Sequence, residues 1–109
     1  MDVLEFEATS FTWEENTHVR SLTLRRETPA DKQYITLTLE ADSPTGLHFE
    51  INGHGSHKAV ESFRLSAAAI ECFLHPNPTL PPQIRVTLRA LPIARITELA
   101  SHLQLLTVD

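Results

Sequence analysis

The stretch from Leu47 to Leu74 reads LHFEINGHGSHKAVESFRLSAAAIECFL, and it decides the fold because strand patterns stand on both sides of its most polar segment. Leu47, Phe49 and Ile51 alternate with His48, Glu50 and Asn52, the period of two that gives a strand one buried and one wet face. Asn52-Gly53 and Gly55 then supply the backbone freedom of a sharp reversal among His54, Ser56, His57 and Lys58. A tight, exposed polar loop is expected there. The chain resumes at Val60, where Phe63 and Leu65 mark one buried face, and Ile70, Cys72 and Leu74 alternate against Glu71 and Phe73. Ser66 to Ala69 allow a turn or one helical turn, and a connection between two antiparallel strands is the expected form.

Upstream of this stretch, Tyr34 to Ala41 is the cleanest strand, with Ile35, Leu37, Leu39 and Ala41 facing one way and Tyr34, Thr36, Thr38 and Glu40 the other. Asp42-Ser43-Pro44-Thr45-Gly46 is a turn signal joining it to the Leu47 strand as an antiparallel neighbour. Val19 to Arg26 forms an earlier strand, closed by a loop over Glu27 to Lys32 that contains Pro29 and Asp31. The first strand starts at Leu4, Phe6 and Ala8 and runs on through Phe11 and Trp13 with a bend near Thr9-Ser10, before a turn at Glu15-Asn16-Thr17.

Downstream, the prolines of His75 to Pro82 remove backbone donors and restrict the residues before them, which predicts a rigid loop. Gln83 to Ala90 alternates as a further strand. From Pro92 onward Ile93, Ile96, Leu99, Ala100, Leu103 and Leu106 recur at spacings of three and four, an amphipathic helix of about three to four turns. Arg95, Glu98, Ser101, His102 and Gln104 fall on its wet side. These elements predict a single α+β domain over residues 1–109: a six- or seven-stranded, mainly antiparallel sheet with one C-terminal amphipathic helix packed on one face.

The 109 residues are 41% hydrophobic, enough for one core. Net charge is −5, and Asp2, Glu5, Glu7, Glu14 and Glu15 precede the first Lys or Arg, at Arg20. That acidic edge argues against nucleic acid as partner, which needs a basic stripe, and suits a basic protein partner. The lone Cys72 cannot form an internal disulfide and reads as a buried, inert thiol. With no basic, apolar start and no apolar run of membrane-spanning length, the expectation is a cytoplasmic chain without membrane contact.

No phosphate-binding glycine loop, HExxH motif or nucleophile elbow occurs. His48, His54 and His57 raise the question of a metal, but a zinc site needs three or four converging ligands, and the expectation is no metal and no cofactor. Ser56 with His57, or Cys72 with His75, lacks an orienting third group, so no catalytic residue is assigned.

Four short runs carry a family likeness: Tyr34-Ile35-Thr36-Leu37, His48-Phe49-Glu50-Ile51-Asn52 with a Gly-containing polar loop after it, Val60-Glu61-Ser62-Phe63-Arg64-Leu65-Ser66, and the closing strand and helix through Leu99 to Leu106. On these the chain resembles bacterial immunity proteins of polymorphic toxin systems, most like the immunity protein 10 family, over Tyr34 to Leu106. The resemblance implies a non-enzymatic protein that binds a cognate toxin in the cytoplasm and neutralises it by occlusion. Trp13, Tyr34, His48, Glu50, His54 and His57 are the candidate partner-binding residues, with the acidic residues steering encounter. Two other readings remain open: an adaptor or secretion chaperone acting as a homodimer through an exposed edge strand, and a small-molecule or metal-binding module using the histidines.

Overall fold

The structure is a computed structural model that describes residues 3–28, 31–40, 47–66, 68–76 and 80–106, without the side chains of Asp31, His54 and residues 56–59. Among the described residues eight strands precede one helix: β1 Val3–Glu7, β2 Ser10–Glu15, β3 Val19–Thr28, β4 Asp31–Glu40, β5 Leu47–Ile51, β6 His54–Leu65, β7 Ala69–Leu74, β8 Gln83–Thr87 and α1 Ile93–Gln104. They form one mixed sheet in the order β1-β8-β7-β6-β5-β4-β3-β2.

The expected six or seven mainly antiparallel strands are thereby corrected to eight in a mixed sheet. The N-terminal segment divides into β1 and β2 at the bend near Thr9, and β1 lies parallel to β8 while every other pairing is antiparallel. The two ends of the strand order are therefore consecutive in the chain. Ala8 N–H donates to the Thr87 carbonyl beside β1 at 3.0 Å, and Thr9 N–H donates to the Arg25 carbonyl in β3 at 2.7 Å. Because adjacent residues reach at most about 7 Å, these bonds require the sheet to curl until its ends meet at Ala8-Thr9.

Two irregularities in β6 supply curvature. Leu47 pairs with Val60 and Phe49 with Ser56, so His48 stands opposite residues 57, 58 and 59. Val60 pairs with Leu74 and Ser62 with Phe73, which leaves Glu61 as an extra residue. Such bulges bend a strand and increase its twist.

The polar segment after Asn52 is strand rather than the expected loop. Asn52 at φ 50° and Gly53 at φ 87° close a two-residue hairpin between Ile51 and His54, the left-handed pair that matches strand twist. The turn is also tied to β4: Asn52 N–H donates to the Tyr34 carbonyl at 3.1 Å, and Tyr34 N–H donates to Asn52 Oδ1 at 2.9 Å. Glu27 and Thr28 likewise pair with Lys32 and Asp31, so both ends of the loop expected over Glu27 to Lys32 are strand, and Pro29 and Ala30 lie outside the described residues. The Asp42 to Gly46 turn, the Ala41 position and residues 77–79 of the proline-rich loop lie outside the described residues.

Register puts the core on one face. Phe11 and Leu24, Leu22 and Leu37, Leu24 and Ile35, Leu37 and Phe49, Cys72 and Ile84, and Ile70 and Val86 are direct cross-strand partners, and all are buried. Helix α1 adds Leu99 and Leu103, with Leu91 and Leu106 flanking it. It starts after Pro92 without a side-chain cap, so its stability comes from this packing rather than from its ends.

The wet side of α1 departs from the sequence pattern. Ile93 is 83% exposed and does not join the apolar stripe. Arg95 and His102, expected in water, instead turn onto β2. The Arg95 guanidinium lies 3.9 Å from the Phe11 ring centre and donates to the Phe11 carbonyl at 2.9 Å, and the His102 ring stacks on Trp13. Long and aromatic polar side chains at the stripe's flanks can cover apolar surface while keeping a polar tip satisfied. Arg20 donates to the Leu105 carbonyl at 3.1 Å, which satisfies one orphan acceptor at the end of α1. Among the described residues no helix is long and apolar enough to cross a membrane.

Candidate functional site

The outward face of β4 and β5 gathers three of the six sequence-nominated residues. Their positions follow from the two-residue repeat: Ile35, Leu37 and Phe49 point into the core, which sends Tyr34, Thr36, Thr38, His48 and Glu50 outward. Tyr34 Oη donates to Glu50 Oε2 at 2.7 Å. His48 Nε2 lies 3.0 Å from Glu40 Oε1, and His48 is the better covered of the two. A strip of carboxylates, an imidazole and a phenol is thus held by interactions among its own members.

Next to this strip the face is hydroxylated. Thr23 Oγ1 lies 3.2 Å from Thr36 Oγ1, Ser21 Oγ lies 3.4 Å from Thr38 Oγ1, and Arg25 donates to Thr12 Oγ1 at 2.7 Å. These residues were not singled out from sequence. Their signal was present in the alternation of Ser21 and Thr23 in β3 and of Thr36 and Thr38 in β4, whose register brings them side by side.

The electrostatics follow the geometry. The hydrogen bond to Glu50 holds the Tyr34 phenol above its ordinary range, with burial and the Glu50 charge acting in the same sense and a backbone bond from Gly53 opposing them. Glycine is required at the neighbouring hairpin for a steric reason. A Cβ on Gly55 would fall 2.7 Å from the Phe49 carbonyl oxygen and 3.1 Å from Glu50 Cβ, so only a bare backbone lets β6 pass this closely behind Glu50.

The other nominated residues separate. Trp13 lies on the inward face, opposite Leu22, where its ring is committed to His102. His54 pairs through its backbone with Ile51, and His57 lies in the irregular segment of β6; their side chains are outside the described residues. Cys72 is buried, and burial pushes its thiol up to about 12, the condition of an unreactive sulfur. Among the described residues no three His, Cys, Asp or Glu side chains converge on a metal position.

A second outward region lies across the sheet on β8 and β1. Glu5, Arg85, Glu71 and Arg64 follow one another across β1, β8, β7 and β6, an alternating ladder in which Arg64 donates to Glu71 at 2.8 and 3.2 Å. Beside it, Glu5, Ala68, Arg85, Thr87 and Arg89 line an open groove of about 250 Å³. Acid and base alternate there, and the Tyr34 strip carries Glu40 and Glu50 with Arg25 opposite Tyr34 on β3.

What these elements define is a mixed, curled sheet covered by one helix, with a polar outward face built from β3, β4 and β5. No family model matches the chain, and no curated protein matches it.

Proposed function

We propose that this chain is an immunity protein: a non-enzymatic, cytoplasmic protein that binds a cognate bacterial toxin and neutralises it by covering its working surface. The observation that carries the reading is the outward array of Tyr34, Glu50, His48 and Glu40, fixed by contacts of 2.7 and 3.0 Å beside a hairpin tied to β4. Binding side chains held in place before contact lose little freedom on association, which favours tight recognition. The resemblance over Tyr34 to Leu106 supplies the class of partner.

Charge supports the same reading. The chain carries −5, and Glu40 and Glu50 place acidic groups on this face. A basic toxin surface would be steered onto it, faster at low salt. The cytoplasmic assignment draws on the lone, buried Cys72, which calls for no oxidising compartment.

The test is capture from cells of the chain's own source with the chain as bait, followed by mass spectrometry. The expected catch is a multidomain protein whose C-terminal fragment arrests growth when expressed alone. Recovery of the chain alone, or of a harmless partner, would contradict the proposal.

A further inference from the structure

The N-terminal strand leaves the sheet two loose edges, and the fold treats them differently. β2 pairs only with β3, so its other edge has no strand beside it among the described residues, but Arg95 of α1 reaches β2 and donates to the Phe11 carbonyl. On β3, Thr9 Oγ1 donates to the Arg25 carbonyl at 3.2 Å and accepts from Glu27 N–H at 3.1 Å, which occupies that strand where β1 diverges from it. β1 runs beside β8 alone, and among the described residues nothing pairs with its other edge.

That edge is also where apolar surface is exposed. Val3 is 44% and Leu4 37% exposed, although Leu4 stands beside the fully buried Ile84 on the core face. An unpaired strand with exposed apolar side chains is a template for another strand. Proteins that keep such an edge idle shield it with charges, bulges or covering elements.

The chemistry of the occupant follows from the outward side chains. Val3, Glu5 and Glu7 share the outward face of β1, and Glu27 occupies the equivalent face of β3 beyond Thr9. A second copy of β1 paired antiparallel through Glu5 would set Glu5 against Glu5, and like charges directly opposite are destabilising. A strand presenting Lys or Arg outward and an aliphatic residue inward would meet Glu5 and Glu7 on one face, in competition with Arg85 opposite Glu5 and with Arg89, 3.5 Å from Glu7, and Leu4 on the other.

We propose that the bare edge of β1 accepts an extended segment of the partner protein as an added strand, one that alternates basic outward residues with apolar inward residues. This inference rests on the reading of the chain as a polypeptide binder and adds how it grips.

The experiment needs no toxin. A fluorescein-labelled octapeptide alternating valine and lysine is titrated against the intact chain by anisotropy, with amide exchange followed at Val3 to Glu7. Binding with slowed exchange in β1 is expected, weakened at least about tenfold when lysine is replaced by glutamate or when alternate peptide nitrogens are methylated. The Glu5→Lys variant, verified as folded by circular dichroism, should narrow the preference for lysine, and Leu4→Ala should weaken binding of the same peptide. Equal affinity for both peptides, no binding, protection confined to another strand, or self-association that protects β1 without peptide would each overturn the proposal. Toxin neutralisation that survives such a failure would leave the proposed function standing without this edge, and peptide binding without neutralisation would do the reverse.

Discussion

The Trp13 indole lies flat against the His102 imidazole, with ring centres 4.6 Å apart and planes 10° apart, and so joins the N-terminal strand to the C-terminal helix. Phe11 meets the same imidazole edge-on at 6.2 Å, and Arg95 covers the Phe11 ring. Residues separated by most of the chain thereby close the side of the sheet that β2 leaves open.

Trp13 is the only tryptophan, so its fluorescence reports this docking. Leu103→Ala, which empties a buried position under α1, should cost about 2–5 kcal/mol, and His102→Ala about 0.5–1.5 kcal/mol. Both should shift Trp13 emission to the red. Unchanged emission in folded Leu103→Ala would contradict docking of α1 through β2.

Gly53 and Gly55 constrain the hairpin in different ways. Gly53→Ala forces a side chain into a left-handed conformation at φ 87°, at about 1–2 kcal/mol. Gly55→Ala places a methyl 2.7 Å from the Phe49 carbonyl oxygen, a backbone atom that cannot swing aside, so the larger loss is expected there. Urea unfolding of the two variants checks the order.

Burial of Cys72 sets an alkaline limit. Its thiol is raised to about 12 in the folded chain from 9.0, so the folded state keeps a proton that the unfolded state loses. The contribution is complete below about pH 9 and declines as pH rises toward 12. Tyr34, also raised, acts in the same direction from its own ordinary value of 10.0 upward. Cys72→Val should therefore flatten the first part of the fall in urea midpoint above pH 9 and leave the Tyr34 part; an unchanged profile would contradict it.

Much of this fold was legible because it rests on short-range periodicity. Ile35, Leu37 and Leu39 are buried as their alternation requires, as are Ile70, Cys72 and Leu74, and Leu99 and Leu103 face the core at helical spacing. The bend near Thr9 was visible, but not that it would join opposite ends of one sheet, because a parallel pairing of Val3–Glu7 with Gln83–Thr87 has no local signature. His54 to Lys58 misled through polarity: the Asn52-Gly53 turn was enough to reverse the chain, and the polar residues continue as strand. In the candidate site, Tyr34, His48 and Glu50 shared an outward parity that sequence could give. The Tyr34–Glu50 bond depends on β4–β5 register; Trp13 shares the inward parity of Phe11, and only its stacking on His102 depends on where α1 docks.

Tyr34→Phe deletes the phenol's bond to Glu50 while keeping the ring. Stability should change little, since the bond is only part-buried at the sheet surface, whereas affinity for the captured partner fragment should fall about tenfold or more. Calorimetric titration separates the two effects. Unchanged affinity would remove Tyr34 from the contact.

The most direct measurement is growth of cells expressing the lethal C-terminal fragment of the captured partner, with and without this chain. Full growth with the natural chain, and arrest with a folded Tyr34→Ala, Glu50→Lys double variant, is the expected result. Arrest regardless of the natural chain would contradict the immunity role, and full rescue by the double variant would contradict the outward face of β4 and β5 as its means.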